Sequence, residues 1–135
     1  ASGLHPEKEK PWRVAIDHPK QDANRTFIAT LPLQNQGMAS SGNYRKFRTN
    51  ASGKRYVHTV NPKTGETVQS NVLSTSVLAP STMLADAYAT ALMAMPYEQG
   101  KTLISNLSAI EAMWMLAVND SVQVVATPGF TYDLE

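Results

Sequence analysis

The chain has 135 residues, 12 basic against 11 acidic side chains for a net charge of +1, and no cysteine. That balance argues against a dedicated nucleic-acid binder, whose affinity rests on an excess of phosphate-neutralising Lys and Arg. The missing cysteines exclude disulfides, thiolate metal sites and a cysteine nucleophile. The length suits one domain over 1–135, able to bury roughly two thirds of its unfolded surface in a proper core. No apolar run reaches the roughly 18 residues that span a bilayer, and Ala1 to Lys10 lacks the apolar centre of a signal peptide. Any targeting segment is therefore expected to lie outside the chain.

Trp12 to Ile16 alternates loosely and predicts a strand, closed by the turn-prone run Asp17, His18, Pro19. His5 and His18 each precede a proline in polar sequence and read as solvated loop histidines. Thr26 to Leu33 predicts a second strand, with Pro32 pointing to a sheet edge or a strand end. Met38 to Ser41 leads into Gly42, and a hairpin is predicted from Asn43 to Thr49 and from Lys54 to Val60. Arg45, Lys46, Arg48, Lys54 and Arg55 give this hairpin either a solvated basic rim or a phosphate-attracting one. His58 shares a strand face with Tyr56 and Val60, where it is either a satisfied core histidine or a catalytic one. Asn61 to Gly65 is a turn, plain or able to cradle an anion on its backbone amides.

Val72 to Ala79 predicts a strand that feeds straight into a helix from Ser81 to Met95, started by Pro80 with Ser81 or Thr82 and stopped by Pro96. Met83, Leu84, Ala87, Tyr88, Ala91, Leu92 and Met95 make one apolar stripe, and the opposite side is mostly Ala and Met. A helix that is apolar all round is expected to be buried all round. Its one charge, Asp86, would then be costly unless a cation or several donors met it. Thr90, four residues on, lies on the same face. A shorter helix is predicted from Tyr97 to about Leu107, weakened by Gly100. A last hairpin from Ala112 to Val118 and Val122 to Thr127, turning at Asn119 and Asp120, reads as core. The methionines read as gap-filling core residues.

Three segments together resemble a known family. Ser41, Gly42, Asn43, Tyr44 is similar to a Ser-Gly-Asp-Tyr element. Arg55 to Gly65 is similar to an Arg-Tyr-x-His-x-x-Asp-Pro-x-Thr-Gly signature, and Ala85 to Ala91 to an Ala-Asp-Ala-x-x-Thr-Ala helix. Lys10 to Val14 also resembles a Lys-Pro-Trp-Arg-Ile strand upstream. The order and spacing are those of the FAD:protein FMN transferases, the ApbE-type thiamine biosynthesis lipoproteins, and the likeness extends over nearly the whole chain. The resemblance implies an α+β fold, an antiparallel sheet with helices packed on one side, and a chain equivalent to the C-terminal half of a longer flavin transferase.

The resemblance also implies a reaction. The FMN moiety of FAD would pass to a Ser or Thr hydroxyl of an acceptor protein, with AMP released. Attack on a pyrophosphate calls for a cation on the phosphate oxygens and a base for the acceptor's proton. Asp86 and Thr90 would be the metal ligands, hard oxygens one turn apart that suit Mg, with a further ligand supplied from outside this chain. His58 would be the catalytic base, its ordinary pKa of about 6.5 suiting proton transfer near neutral pH. Ser41, Thr59 and Thr64 would contact the nucleotide or its phosphates. Two positions depart from the pattern: Asn61 stands in place of Asp, and Asn43 in place of the acid after Ser-Gly. FAD pyrophosphatase activity, or a non-catalytic flavin-binding domain, are the alternatives. A lipid-anchored protein on the periplasmic side of the bacterial inner membrane is the location that the resemblance implies.

Overall fold

The computed structural model describes residues 1–19, 26–43, 47–49, 55–57, 59–67, 70–119 and 121–135. In chain order the elements are β1 (Trp12–Asp17), β2 (Phe27–Leu33), β3 (Gly37–Gly42), β4 (Phe47–Thr49), β5 (Arg55–Val57), β6 (Val72–Ala79), α1 (Thr82–Met93), α2 (Tyr97–Ser105), β7 (Glu111–Val118), β8 (Ser121–Ala126) and β9 (Asp133–Leu134). Strands β3, β6, β7 and β8 form one sheet in that order. Strands β1, β2 and β9 form a second, with β2 in the middle. All these pairings are antiparallel. β4 and β5 pair with Thr49 opposite Arg55, the arms of the expected hairpin, whose turn at 50–54 lies outside the described residues.

The period of two in a strand sends alternate side chains to opposite faces, and here both faces of the four-stranded sheet are covered. On one face Val77, Ala112, Trp114 and Leu116 meet Ala85, Ala89, Leu92 and Met93 of α1 and Ile104 of α2. On the other, Leu78, Met113 and Met115 meet Ile16, Ala29, Leu31 and Leu33 of the second sheet, together with Phe130. The α+β architecture with helices on one side is thus as expected, and the three-stranded sheet covering the opposite face is an addition to it. Covering both faces buries Ser74, Thr75 and Ser76 as well, three consecutive polar residues in the central strand β6.

Pro32 falls near the end of β2 opposite Arg13, beyond the reach of β9, which pairs only with Ala29 and Thr30. Its missing N–H therefore costs the sheet no ladder bond. Gly37 to Gly42, expected only as a lead-in, is an edge strand in register with β6 from Gly37 opposite Ala79 to Gly42 opposite Ser74. The run Met-Ala-Ser-Ser carries little β propensity of its own, so its pairing is set by β6 and by α1 packed across it.

α1 opens where expected, with Ser81 as N-cap accepting from the Leu84 amide at 3.3 Å, and stops at Met93, two residues short of the predicted Met95. Pro96 separates the helices and serves as N-cap to α2, which ends at Ser105 rather than Leu107.

The expectation that α1 is buried all round does not hold. Its buried side is limited to Ala85, Ala89, Leu92 and Met93, where it lies on β3 and β6, while Met83 is 78% exposed and Leu84 is also exposed. A helix on one face of a sheet has one neighbour layer, and among the described residues nothing covers the far side of this one. Asp86 therefore sits on the exposed face, and its charge carries no burial cost. Among the methionines, Met93, Met113 and Met115 are core residues, as expected, and Met83 is not. No described helix is long and apolar enough to cross a membrane.

Candidate functional site

The site builds outward from the turn of α1 between Asp86 and Thr90. Both side chains are exposed and lie one turn apart on the same face of the helix. Among the described residues the Asp86 carboxylate has no hydrogen-bond or ion-pair partner. Thr90 faces β3, where its Oγ1 lies 3.4 Å from Ser41 Oγ. That separation is long for a hydroxyl pair, so both oxygens keep most of their capacity for another partner.

The sheet holds this turn in place from below. Thr75, fully buried on β6, donates from Oγ1 to the Ala89 carbonyl at 2.8 Å. Ser41 and Thr75 are directly paired across β3 and β6. Neighbouring positions of one cross-strand row therefore hold the helix backbone at Ala89 and meet the side chain of Thr90. Sequence reading passed over Thr75 because it sits in an apolar strand of alternating Ser, Thr, Val and Leu, where a hydroxyl gives no sign of what it faces.

The loop after β5 holds Thr59 and Thr64. Val60 makes an isolated bridge with Thr67, which closes the loop. Inside it, Asn61 Oδ1 accepts from the Lys63 amide at 2.9 Å, Gly65 N donates to Asn61 O at 2.8 Å, and Thr64 Oγ1 accepts from the Glu66 amide at 3.3 Å. Gly65 takes φ +71, the left-handed geometry that glycine adopts without strain. The amides of Lys63, Gly65 and Glu66 are thus satisfied within the loop, which favours the plain turn over an anion cradle made of them. Asn61 performs an Asx-turn role that an aspartate carboxylate serves equally well, so this departure from the family pattern keeps the turn and removes the charge.

Asn43 differs. It is 9% exposed, its Nδ2 donates to Val72 O at 3.1 Å, and its backbone N donates to Leu73 O at 3.0 Å. An ionised aspartate could not donate there, so the amide serves here as a clamp between β3 and β6. His58, the expected base, lies outside the described residues, as do Tyr44 and the basic residues Arg45, Lys46 and Lys54. Of the expected site residues, the structure brings Ser41 and Thr90 together with Asp86 one turn away. Thr59 is half-buried and Thr64 exposed, both in the separate loop.

An α+β chain of antiparallel sheets with this corner of hard oxygen groups has the fold of the flavin transferases. It overlays on the Flavin Transferase ApbE from Vibrio cholerae with a TM-score of 0.76 at 30% identity, over 95% of this chain and 39% of that one. The FAD:protein FMN transferase of Haemophilus influenzae is 45% identical over 83 residues, 62% of this chain and 24% of its own length. The Escherichia coli protein of the same name is 32% identical over 120 residues, 89% of this chain and 33% of its own. The ApbE family model matches residues 1–114, and the chain belongs to the ApbE family. What it matches is the C-terminal part of these longer proteins, as expected, and the matched stretch spans 24% and 33% of the length of the two relatives.

Proposed function

We propose that this chain supplies the cation-binding part of an enzyme that moves the FMN moiety of FAD to a Ser or Thr hydroxyl of an acceptor protein. The observation that carries the reading is the exposed Asp86 carboxylate, without a partner among the described residues, one turn from Thr90, with Ser41 3.4 Å from Thr90. The names of the relatives and the order of the motifs support the same reaction.

The donor set suits Mg²⁺, which takes one or two carboxylates and fills its remaining positions with water and phosphate oxygens. Among the described residues no cluster of three or more His, Asp or Glu side chains competes with that arrangement. A cation held by Asp86 and Thr90 would supply neutralisation of charge on the pyrophosphate. The remaining roles fall to the chain's own residues. Asp86 and Thr90 would hold the cation, and Ser41, Thr59 and Thr64 would bind the nucleotide or its phosphates. His58 takes the proton of the attacking hydroxyl. The acceptor oxygen forms a bond to the FMN-side phosphorus, the bond from that phosphorus to the AMP-side bridging oxygen breaks, and AMP leaves. The lipid-anchored periplasmic location rests on the sequence resemblance alone.

Incubation of the full-length protein that contains this chain with FAD, Mg²⁺ and an acceptor bearing a Ser or Thr site tests the reading, the 135 residues by themselves being expected to label no acceptor. An acceptor that keeps flavin fluorescence through denaturing electrophoresis is the expected result. An unlabelled acceptor contradicts it, and free FMN and AMP formed without acceptor would assign hydrolysis of the pyrophosphate instead.

A further inference from the structure

We infer that Thr75 is the positioning residue for the Asp86 and Thr90 pair: its buried hydroxyl fixes the height and rotation of the α1 turn that presents them. The inference rests on the metal-binding reading of those two side chains given above.

At the level of this turn, α1 meets the sheet through Ala85 and Ala89, both fully buried. These methyl groups let helix and sheet approach closely, and although Tyr88 packs beside them and Leu92 and Met93 are buried one turn on, such apolar contact is non-directional and leaves the fine rotation of the turn unset. The Thr75 bond to the Ala89 carbonyl is directional, 2.8 Å long and fully enclosed. Ala89 precedes Thr90 and follows Asp86 by three residues, so on a helix of 3.6 residues per turn both side chains project from the same flank beside the anchored carbonyl. Rotation about the helix axis would carry both away from the edge strand β3, where Ser41 approaches Thr90 at 3.4 Å.

The Thr75 bond is additional to the helix's own ladder. A carbonyl oxygen has two lone pairs, and the one on Ala89 can accept from its own helix while taking the Thr75 hydroxyl. Replacement by valine, which has the same shape, therefore leaves no orphaned acceptor and fills the same space. The pair Thr75→Val and Thr75→Ser separates positioning from packing: valine keeps the volume and removes the donor, and serine keeps the donor and removes a methyl group.

The experiment titrates Mn²⁺ into the protein in the presence of FAD, with bound metal read by electron paramagnetic resonance, and follows amide hydrogen exchange in metal-free protein. Thr75→Val is expected to weaken Mn²⁺ binding by about tenfold or more, the range for residues that orient a metal ligand. Its melting temperature should stay within roughly 5 °C of the parent. Amides of the Asp86 to Met93 turns should exchange faster in this variant while those of α2 do not change. Thr75→Ser should restore both metal affinity and protection. Parent protein that binds Mn²⁺ while Thr75→Val binds it equally well overturns the inference and leaves the metal site standing. Parent protein that binds no Mn²⁺ overturns both.

Discussion

Ser41 on β3 and Thr90 on α1 stand 49 positions apart in sequence and hold their hydroxyl oxygens 3.4 Å from each other. A contact of that length contributes little to stability, so the two groups are better explained by what they could bind together. Ser41→Ala is accordingly expected to change unfolding free energy by less than about 0.5 kcal/mol in urea titrations. The same variant, in the full-length protein, should lower the yield of flavin-labelled acceptor. A loss of stability without a loss of labelling would assign Ser41 to the fold.

Gly37 lies against the first turn of α1 so closely that a Cβ there would overlap the backbone of Ser81 and Thr82. Backbone cannot move aside as a side-chain end can. Gly37→Ala should therefore destabilise by about 3 kcal/mol or more. Gly100→Ala is the control: its Cβ would press on Leu92 Cδ2, a side-chain end, at 2.9 Å and meet Trp114 Nε1 and Met95 Cγ at ordinary contact distances of 3.6 and 3.8 Å. Inside a helix the change from Gly gains up to about 1 kcal/mol, so the net effect should be near zero. Urea midpoints of the two variants measure the contrast.

Leu92 and Met83 stood in one predicted apolar stripe, yet Leu92 is fully buried and Met83 is 78% exposed. Leu92→Ala should cost about 2–5 kcal/mol by the cavity it leaves. Met83→Ser should stay within about 0.5 kcal/mol of the parent. Calorimetric unfolding of both variants checks the assignment of faces.

This pair also marks what sequence can convey. Helical period places residues on faces, but α1 is so rich in Ala, Leu and Met that no face stands out, and only the packing on β3 and β6 decides which side is buried. The strands of β1, β2, β6 and β7 were legible because alternation and turn residues bound them on both sides. β3 was not, since Gly-Met-Ala-Ser-Ser-Gly becomes a strand only through its neighbours. At the site, Asp86, Thr90 and Ser41 were legible through motif order. Thr75 and the clamp made by Asn43 were not, because both act through backbone carbonyls of other elements, Ala89 and Val72, that leave no pattern in the chain.

Asn43→Asp would restore the acid common in the family and test that clamp. The ionised side chain loses its donation to Val72 O and sets a buried charge beside a carbonyl. A destabilisation of about 1–3 kcal/mol is expected near neutral pH. A carboxyl group held by an acceptor is stabilised in its protonated, donating form, so its folded pKa should exceed its unfolded value of about 3.9. The deficit relative to the parent should then shrink as pH falls through the folded value and be smallest below the unfolded one. Paired urea titrations of parent and variant across that range would reveal a constant deficit if the clamp played no part.

The central claim, that the exposed turn of α1 holds the cation for flavin transfer, is tested most directly by Asp86→Asn. The change keeps the side chain's shape and one oxygen and removes its charge, at an exposed position with no partner among the described residues, so the fold should be untouched. In the full-length protein with FAD, Mg²⁺ and acceptor, the rate of covalent flavin labelling is expected to fall by on the order of 100-fold. Labelling at the parent rate, with the same dependence on Mg²⁺ concentration, would contradict the account.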